Sequence, residues 1–533
     1  MRPRSTSSLA LFLGCTALLS VLLLLPIFMV IQGGFWVDGR FTLRYLLGVF
    51  QNPIYAEGLF NSLCIAIGTT SIALLVSVPL ALLSHRYDFF GKRLVTATLL
   101  VPMILPPFVG AIGLMQILGP YGALNAALGL GPIDWLAQNR YLGVILIQSL
   151  GLYPILFLNV SAALANTDPA MEEAAANLGA NAFKRFFRIT LPLITPGLFA
   201  GGTIVFIWSF TELGAPLMLN YTQCASVQVF DALKEIGSNP FPYALVTVLL
   251  FSSICLYILG RFAFGRNTYA MQGKAGVAYQ PKSLRGGSAL LALLPFLLVS
   301  MIALAPHVGV ILISMTPPGD WYRTLLPSTF SAVNYTTALG HEMTLSSIRN
   351  SIGFSAMAVV VNIVLGLAIA WVVVRSTLRC KSILDTLTMV PLAVPGLVMA
   401  FGFLAISSRI SNSAFVVNNP WWASVFDVRV NPTFFLVVAY AVRRLPYMVR
   451  SAVAGLQQTS VSYEEAAANL GASPLRSLRR VTLPFIAANL IAGTLLCFAF
   501  SMLEVSDSLM LAQQADYYPI TKTIYELFLL PGT

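Results

Sequence analysis

Glu172-Glu173-Ala174-Ala175-Ala176-Asn177-Leu178-Gly179-Ala180 recurs letter for letter as Glu464-Glu465-Ala466-Ala467-Ala468-Asn469-Leu470-Gly471-Ala472, 292 positions downstream. Nine identities in register mark a duplication rather than chance. The same offset pairs Thr190-Leu191-Pro192 with Thr482-Leu483-Pro484, Pro154 with Pro446, Ser209 with Ser501 and Glu212 with Glu504. Upstream, an offset of 289 joins Asn61-Ser62 to Asn350-Ser351, Arg86 to Arg375, Pro102 to Pro391 and Pro106 to Pro395. The chain is therefore two homologous halves.

Composition says where those halves reside. Of 533 residues, 57% are hydrophobic and only 10% charged, and the mean hydropathy is +0.81. Soluble domains carry about 25% charged residues, so this chain is built for a bilayer. Apolar runs of twenty or more residues exclude an outer-membrane barrel, whose strands alternate over about ten residues. The fold class is an all-α polytopic membrane protein. Its net charge of +11 is the Lys/Arg excess of cytoplasmic loops rather than a sign of nucleic-acid binding. The six cysteines form no CxxC pair and mostly sit in apolar runs, which supports neither a disulfide framework nor a metal cluster.

Eleven segments are long enough to cross about 30 Å of hydrocarbon. They are 9–31, 59–83, 94–118, 142–164, 193–211, 243–264, 289–315, 352–374, 383–407, 433–456 and 485–503. The first follows Arg2 and Arg4, lacks a small-residue cleavage site and reads as an uncleaved anchor. Placing the N-terminus in the cytoplasm puts most Lys and Arg inside, while acidic residues such as Asp38, Asp134 and Asp427 fall outside. Both repeated loops then lie on one side, so the halves run parallel about an axis along the membrane normal.

Domain bounds follow from the repeat. The first half is 1–264 with its core at 59–264, a polar cytoplasmic linker covers 265–287, and the second half is 288–533 with its core at 346–533. Each core carries a cytoplasmic helical hairpin, at 167–192 and 459–484. Helix starts are signalled by Asp168 before Pro169, and by Ser462 with Glu465 as a capping box. Gly179 and Gly471 interrupt each helix and suit positive φ, Ser473-Pro474 reads as a second start, and Pro192 or Pro484 opens the next span. Lys184, Arg185, Arg188, Arg476, Arg479 and Arg480 supply charge for lipid headgroups or acidic partners.

These residues resemble the membrane-spanning subunits of binding-protein-dependent ABC importers. That family's signature is Glu-Ala-Ala, three residues, Gly, nine residues, Ile, one residue, Leu-Pro. The first half matches from Glu173, Ala174 and Ala175 through Gly179 and Ile189 to Leu191 and Pro192. The second matches from Glu465, Ala466 and Ala467 through Gly471 to Leu483 and Pro484, with Val481 in place of Ile. The resemblance implies two permease halves of about six transmembrane helices each. It implies that the hairpins, with Glu172 and Glu464 at their head, couple to two copies of a cytoplasmic ABC ATPase, and that a periplasmic or lipid-anchored substrate-binding protein delivers cargo. Two fused permease domains look most like ferric-iron importer permeases, with aminophosphonate, thiamine and polyamine permeases as relatives. No GxxxxGK[ST] loop occurs, so no catalytic residue and no cofactor is expected on this chain; ATP and Mg belong to the ATPase. The implied location is the bacterial inner membrane.

Pathway candidates are Arg443, Arg444, Glu212 and Glu504. A lipid-facing Arg at mid-span costs roughly 2.5–3.5 kcal/mol, so Arg443 and Arg444 either line a polar pathway or snorkel from a span that starts later than drawn. Glu212 and Glu504 stand at equivalent outer ends of spans, where they either line a channel mouth or cap and gate a helix. Pro102, Pro106, Pro107, Pro391 and Pro395 break the third and ninth spans, against a cavity or as packing kinks. His85, His307 and His341 are scattered and form no ligand set, and no metal site is expected. A rival class, an ion-coupled secondary transporter of two parallel halves, leaves the duplicated hairpins unexplained. Under the 292 offset Thr533 falls on Phe241, ahead of the sixth span, so the second half is expected to lack its last helix and the gene product to be longer.

Overall fold

The computed structural model describes residues 5–37, 39–136, 138–235, 239–264 and 280–529. Arg2, Arg4, Asp38, most of the expected linker (265–279) and residues 530–533 lie outside them.

Helices dominate, as apolar runs dictate where backbone groups must be satisfied within their own segment. Among the described residues, nine helices are long and apolar enough to cross a membrane, and a bent pair makes a tenth. The tenth expected span, 433–456, exists as the helix Thr433–Gln458, whose 26 residues reach about 39 Å. It drops out of the apolar set because Arg443, Arg444 and Arg450 sit in it. The polarity of the exterior is inverted relative to a soluble protein: Leu75, Leu291 and Leu495 are exposed, whereas Thr69, Ser77, Gln148 and Asn362 are fully buried.

The chain divides into two compact units, interleaved in sequence. One comprises 53–228 and 251–337. At its centre the 34-residue helix Pro53–Arg86 packs on Arg140–Ala165 and on Leu191–Phe210. Tyr153, Leu156, Phe157 and Val160 fill the interior, and the Tyr153 hydroxyl donates to the Leu99 carbonyl at 2.8 Å. The helix Gly287–Ser314 lies against this core at Pro107–Leu118. A Cβ on Gly113 would strike the Pro306 carbonyl, so glycine permits that approach.

The other unit comprises 1–52, 229–250 and 338–533. Its centre repeats the first arrangement: the 34-residue helix Glu342–Arg375 packs on Thr433–Gln458 and Leu483–Met502. The N-terminal span Ser8–Phe35 lies on Gly396–Ser411, and Gly402 meets the Pro26 carbonyl as Gly113 meets that of Pro306. Each core thus packs on a helix that precedes the other repeat in sequence. Pattern reading of the two halves does not contain that pairing.

The proline breaks have the physical cause expected of them. The third span is not one helix: Lys92–Thr98 gives way to a single 3-10 turn at Val101–Met103, and helix resumes at Pro107. The ninth span bends by 101° between Lys381–Ala393 and Gly396–Ser411. Pro106 and Pro395, at equivalent positions, hold extended ψ values of 142° and 135° immediately before the second segment, which a prolyl ring tolerates and a continuing helix does not.

Candidate functional site

The hairpins are built twice with the same parts. Asp168 caps Pro169–Asn177 by accepting from the Ala170 amide at 2.9 Å, as expected. The second copy departs from expectation: helix Val461–Asn469 is capped by Ser460, not Ser462, and no capping box with Glu465 forms. The reason is local geometry, since Ser460 lies one residue before the helix and its hydroxyl reaches the Ser462 amide. Gly179 and Gly471 take φ of +79° and +80°. Amides of Gly179 and Ala180 donate to Ala176 and Ala175 at 2.9 and 3.0 Å, and the second copy does the same at Gly471 and Ala472. This is a Schellman turn, which needs a residue without a Cβ at its left-handed position. Asn181 and Ser473 then cap the short second helices.

Each hairpin is clamped to its own core. Arg86, the last residue of Pro53–Arg86, donates through Nη2 to Glu172 at 2.8 and 3.0 Å, and Thr190 donates to the same carboxylate. In the second half Arg375 donates to Glu464 through Nε and Nη2, both at 3.2 Å, and to the Thr459 carbonyl at 3.0 Å, while Thr482 donates to Glu464 at 3.2 Å. Burial disfavours the charged form of Glu172, but the bonds from Thr190 and Arg86 outweigh it and hold the carboxyl below its usual value. Glu172 and Glu464 therefore face inward, and Glu173 and Glu465 stand exposed. Arg86, Arg375, Thr190 and Thr482 were present in the repeat as matched letters. Their partnership is visible only once the span end and the hairpin meet.

The opposite end of each core is tied by a second duplicated set. Asn61 donates to the Gln223 carbonyl at 2.9 Å, and Asn350 to that of Tyr518 at 3.3 Å. The Ala225 amide donates to Ser62 at 2.9 Å, and the Ile520 amide to Ser351 at 2.7 Å. Ser226 and Thr521 close the set on the carbonyls of Glu212 and Glu504. In the first unit this end also holds a cavity of about 700 Å³, lined among others by Glu57, Arg140, Tyr141 and Tyr221.

Arg443, Arg444 and Glu504 come together in one unit; Glu212 stands in the other. Arg443 pairs with Glu504 and lies 3.4 Å from Asp507, and Arg444 pairs with the second oxygen of Glu504. The side chains are 17%, 8%, 5% and 0% exposed in the order Arg443, Arg444, Glu504, Asp507, so two basic side chains meet two acidic ones away from solvent. Glu212 accepts from the amides of Gly214 and Ala215 at 2.9 Å and from Gln148 at 3.5 Å, which caps the helix Gly214–Met218. Gln148 also accepts from Ser209 and Thr69. At Arg443, Arg444 and Asp507 the first half has Gly151, Leu152 and Ala215. The neighbours compensate: Pro107 fills the space beside Gly151, whereas its counterpart Gly396 leaves the room that the Arg443 guanidinium occupies. Sequence reading missed Asp507, Gly396 and Gln148.

A polytopic helical chain with two matched, clamped hairpins on duplicated cores is built as a transport permease. The chain belongs to the family of binding-protein-dependent transport system inner membrane components, whose model matches residues 73–266 and 362–528. It is 26% identical over 495 residues to the putative ferric transport system permease protein FbpB 1 of Haemophilus influenzae, covering 87% of this chain and 70% of that protein. It is 26% identical over 482 residues to the ferric transport system permease protein FbpB of Actinobacillus pleuropneumoniae, covering 87% of this chain and 64% of that one. A match to the molybdenum transport system permease protein ModB of Haemophilus influenzae is 28% identical and covers 40% of this chain and 94% of that protein.

Proposed function

We propose that this chain is the permease subunit of an ATP-driven importer that carries ferric iron from the periplasm or exterior into the cytoplasm. The clamped hairpins carry the reading: a surface element held rigidly to the ends of two spans transmits a push to them, and a loose one does not. In this reading a binding protein delivers cargo, two cytoplasmic ATPases engage the hairpins at Glu173, Ala174, Ala175 and Glu465, Ala466, Ala467, and ATP with Mg is bound and hydrolysed on those partners. The N-terminus is cytoplasmic, in the bacterial inner membrane.

Ferric iron is favoured over molybdate by length. The ferric relatives align with both halves of this chain, whereas ModB aligns with 40% of it and is itself nearly covered. A chain that shares the fused architecture is the better guide to cargo than one that matches a single half. The test is uptake of labelled ferric iron against labelled molybdate in cells that produce this chain with its neighbouring ATPase and binding protein. Accumulation of iron supports the reading; accumulation of molybdate alone transfers it to the oxyanion.

A further inference from the structure

Glu212 and Glu504 occupy one repeat position and share their backbone bonding. Each stands where a span ends and a short helix begins, with its amide donating to the serine carbonyl three residues back at 3.4 and 3.2 Å. Their carbonyls accept from Ser226 and Thr521 at 2.7 and 2.8 Å. Only the carboxylates differ. Glu212 holds the Gly214 and Ala215 amides at 2.9 Å. On Glu504 two donors compete for Oε1: Arg443 donates to it, and the Asp507 amide, the equivalent of the Ala215 amide, stands off at 3.5 Å. That distance lies beyond the usual reach of an N–H···O bond.

A second acceptor for Arg443 stands beside the first. Asp507 is fully buried, yet its Oδ2 lies 3.4 Å from Arg443 and its Oδ1 has no hydrogen-bond partner among the described residues. A buried carboxylate so short of donors is costly, and the fold does not require it, because Ala215 fills the same place in the first unit. Two more polar atoms of this corner, Arg444 Nε and Ser501 Oγ, are likewise buried without a partner, whereas Ser209, the equivalent of Ser501, donates to Gln148. The second corner thus carries more donors and acceptors than one arrangement uses. Arg443 is the least enclosed of its four charged side chains.

Resting on the reading of an ATP-driven importer, we propose that Arg443 is a two-position latch: Glu504 holds it in the state seen here, and Asp507 takes it in the other state of the transport cycle. When Arg443 leaves Oε1, the Asp507 amide closes on that oxygen, as the Ala215 amide does on Glu212. Arg444 stays on Oε2 throughout. Arg443 meanwhile exchanges one oxygen of Glu504 for both oxygens of Asp507, a bidentate geometry that suits a guanidinium. No charge is stripped of its partner at either end of the exchange, so the two arrangements lie close in free energy, whereas an unpaired charge at this site would be strongly disfavoured. The exchange moves the helix Thr433–Gln458 against the corner at Glu504. The first half, with Gly151 and Ala215 at these places, has no such latch, and the halves therefore cycle unequally. In this role Asp507 is a positioning residue that acts through Arg443.

The experiment follows ATP hydrolysis and melting temperature of the full permease–ATPase complex in nanodiscs. D507A installs the residue of the first half and should keep the melting temperature while slowing turnover about 10- to 100-fold, with KM for ATP unchanged. Partial exposure of Arg443 keeps the loss below that of a fully buried unpaired charge. D507N, which keeps the shape but not the charge, should slow turnover alike, and D507E should restore it. Wild-type turnover in D507A and D507N overturns the latch, and so does a loss in D507A that tracks a fall in melting temperature and is absent from D507N. Structures of the wild-type complex, nucleotide-free and ATP-locked, decide the matter even if no variant folds. Arg443 on Glu504 in one and on Asp507 in the other is expected; Arg443 on Glu504 in both overturns the latch. A wild-type complex that hydrolyses no ATP instead removes the importer reading itself.

Discussion

Cutting the clamp in the second half should loosen its hairpin more than the matching cut in the first. Arg375 and Glu464 are 6% and 12% exposed, while Arg86 and Glu172 are 22% and 27% exposed. Removing one partner of a fully buried pair costs about 3–5 kcal/mol, and an exposed pair contributes about 0–1 kcal/mol. Arg375→Ala leaves Thr482 still donating to Glu464, so we place the loss at about 2 kcal/mol, or about a 30-fold rise in hairpin opening. Arg86→Ala, in a wetter pair, should cost about 1 kcal/mol, or about fivefold. Hydrogen exchange of the amides at 461–482 and 169–190, in nanodiscs, reads both. Unchanged protection in Arg375→Ala, or a larger effect in the first half, would refute the clamp as the element that fixes the hairpin.

Gly179 and Gly471 hold φ near +80°, so bulky β-branched replacements at both should abolish uptake while membrane levels persist; undiminished transport contradicts this. Gly396→Ala should cost about 1–3 kcal/mol of stability, read as a lower melting temperature, through its contact with Arg443, and the double variant with Arg443→Gly should lose less than the sum of the two single losses. Purely additive effects would show that the two residues do not share the space. The pH dependence of the first clamp follows from the depressed pKa of Glu172. Its contribution is fully present above the ordinary value of 4.5 and disappears as pH falls through the lower folded value, so a spin label on the hairpin should gain mobility only below about pH 4.5.

Much of this was legible in the letters. The nine-residue repeat located both hairpins, Asp168 and the two glycines set their turns, and the prolines marked where the third and ninth spans break. The second cap fell on Ser460 instead of Ser462 because cap choice depends on where the backbone turns, which a hydroxyl count does not report. Arg443 and Arg444 read either as charges on a polar pathway or as side chains snorkelling from a later-starting span. Asp507, the second acid beside Arg443, has alanine at its repeat position and so carried no duplicated signal. The exchange of Pro107–Gly151 for Gly396–Arg443 was likewise invisible, since each residue alone is unremarkable and only contact relates them. Pairing of Gly113 with Pro306 and Gly402 with Pro26 joins residues with no shared pattern, and packing alone reveals it.

Uptake in proteoliposomes tests ATP-driven movement through this permease most directly. Vesicles would hold this chain with its ATPase, ATP and Mg inside and the iron-loaded binding protein outside, without any ion gradient. Iron should accumulate, and accumulation should stop when ATP is omitted or when Gly179 and Gly471 are both replaced. Accumulation that persists without ATP and follows an imposed proton or sodium gradient would contradict it.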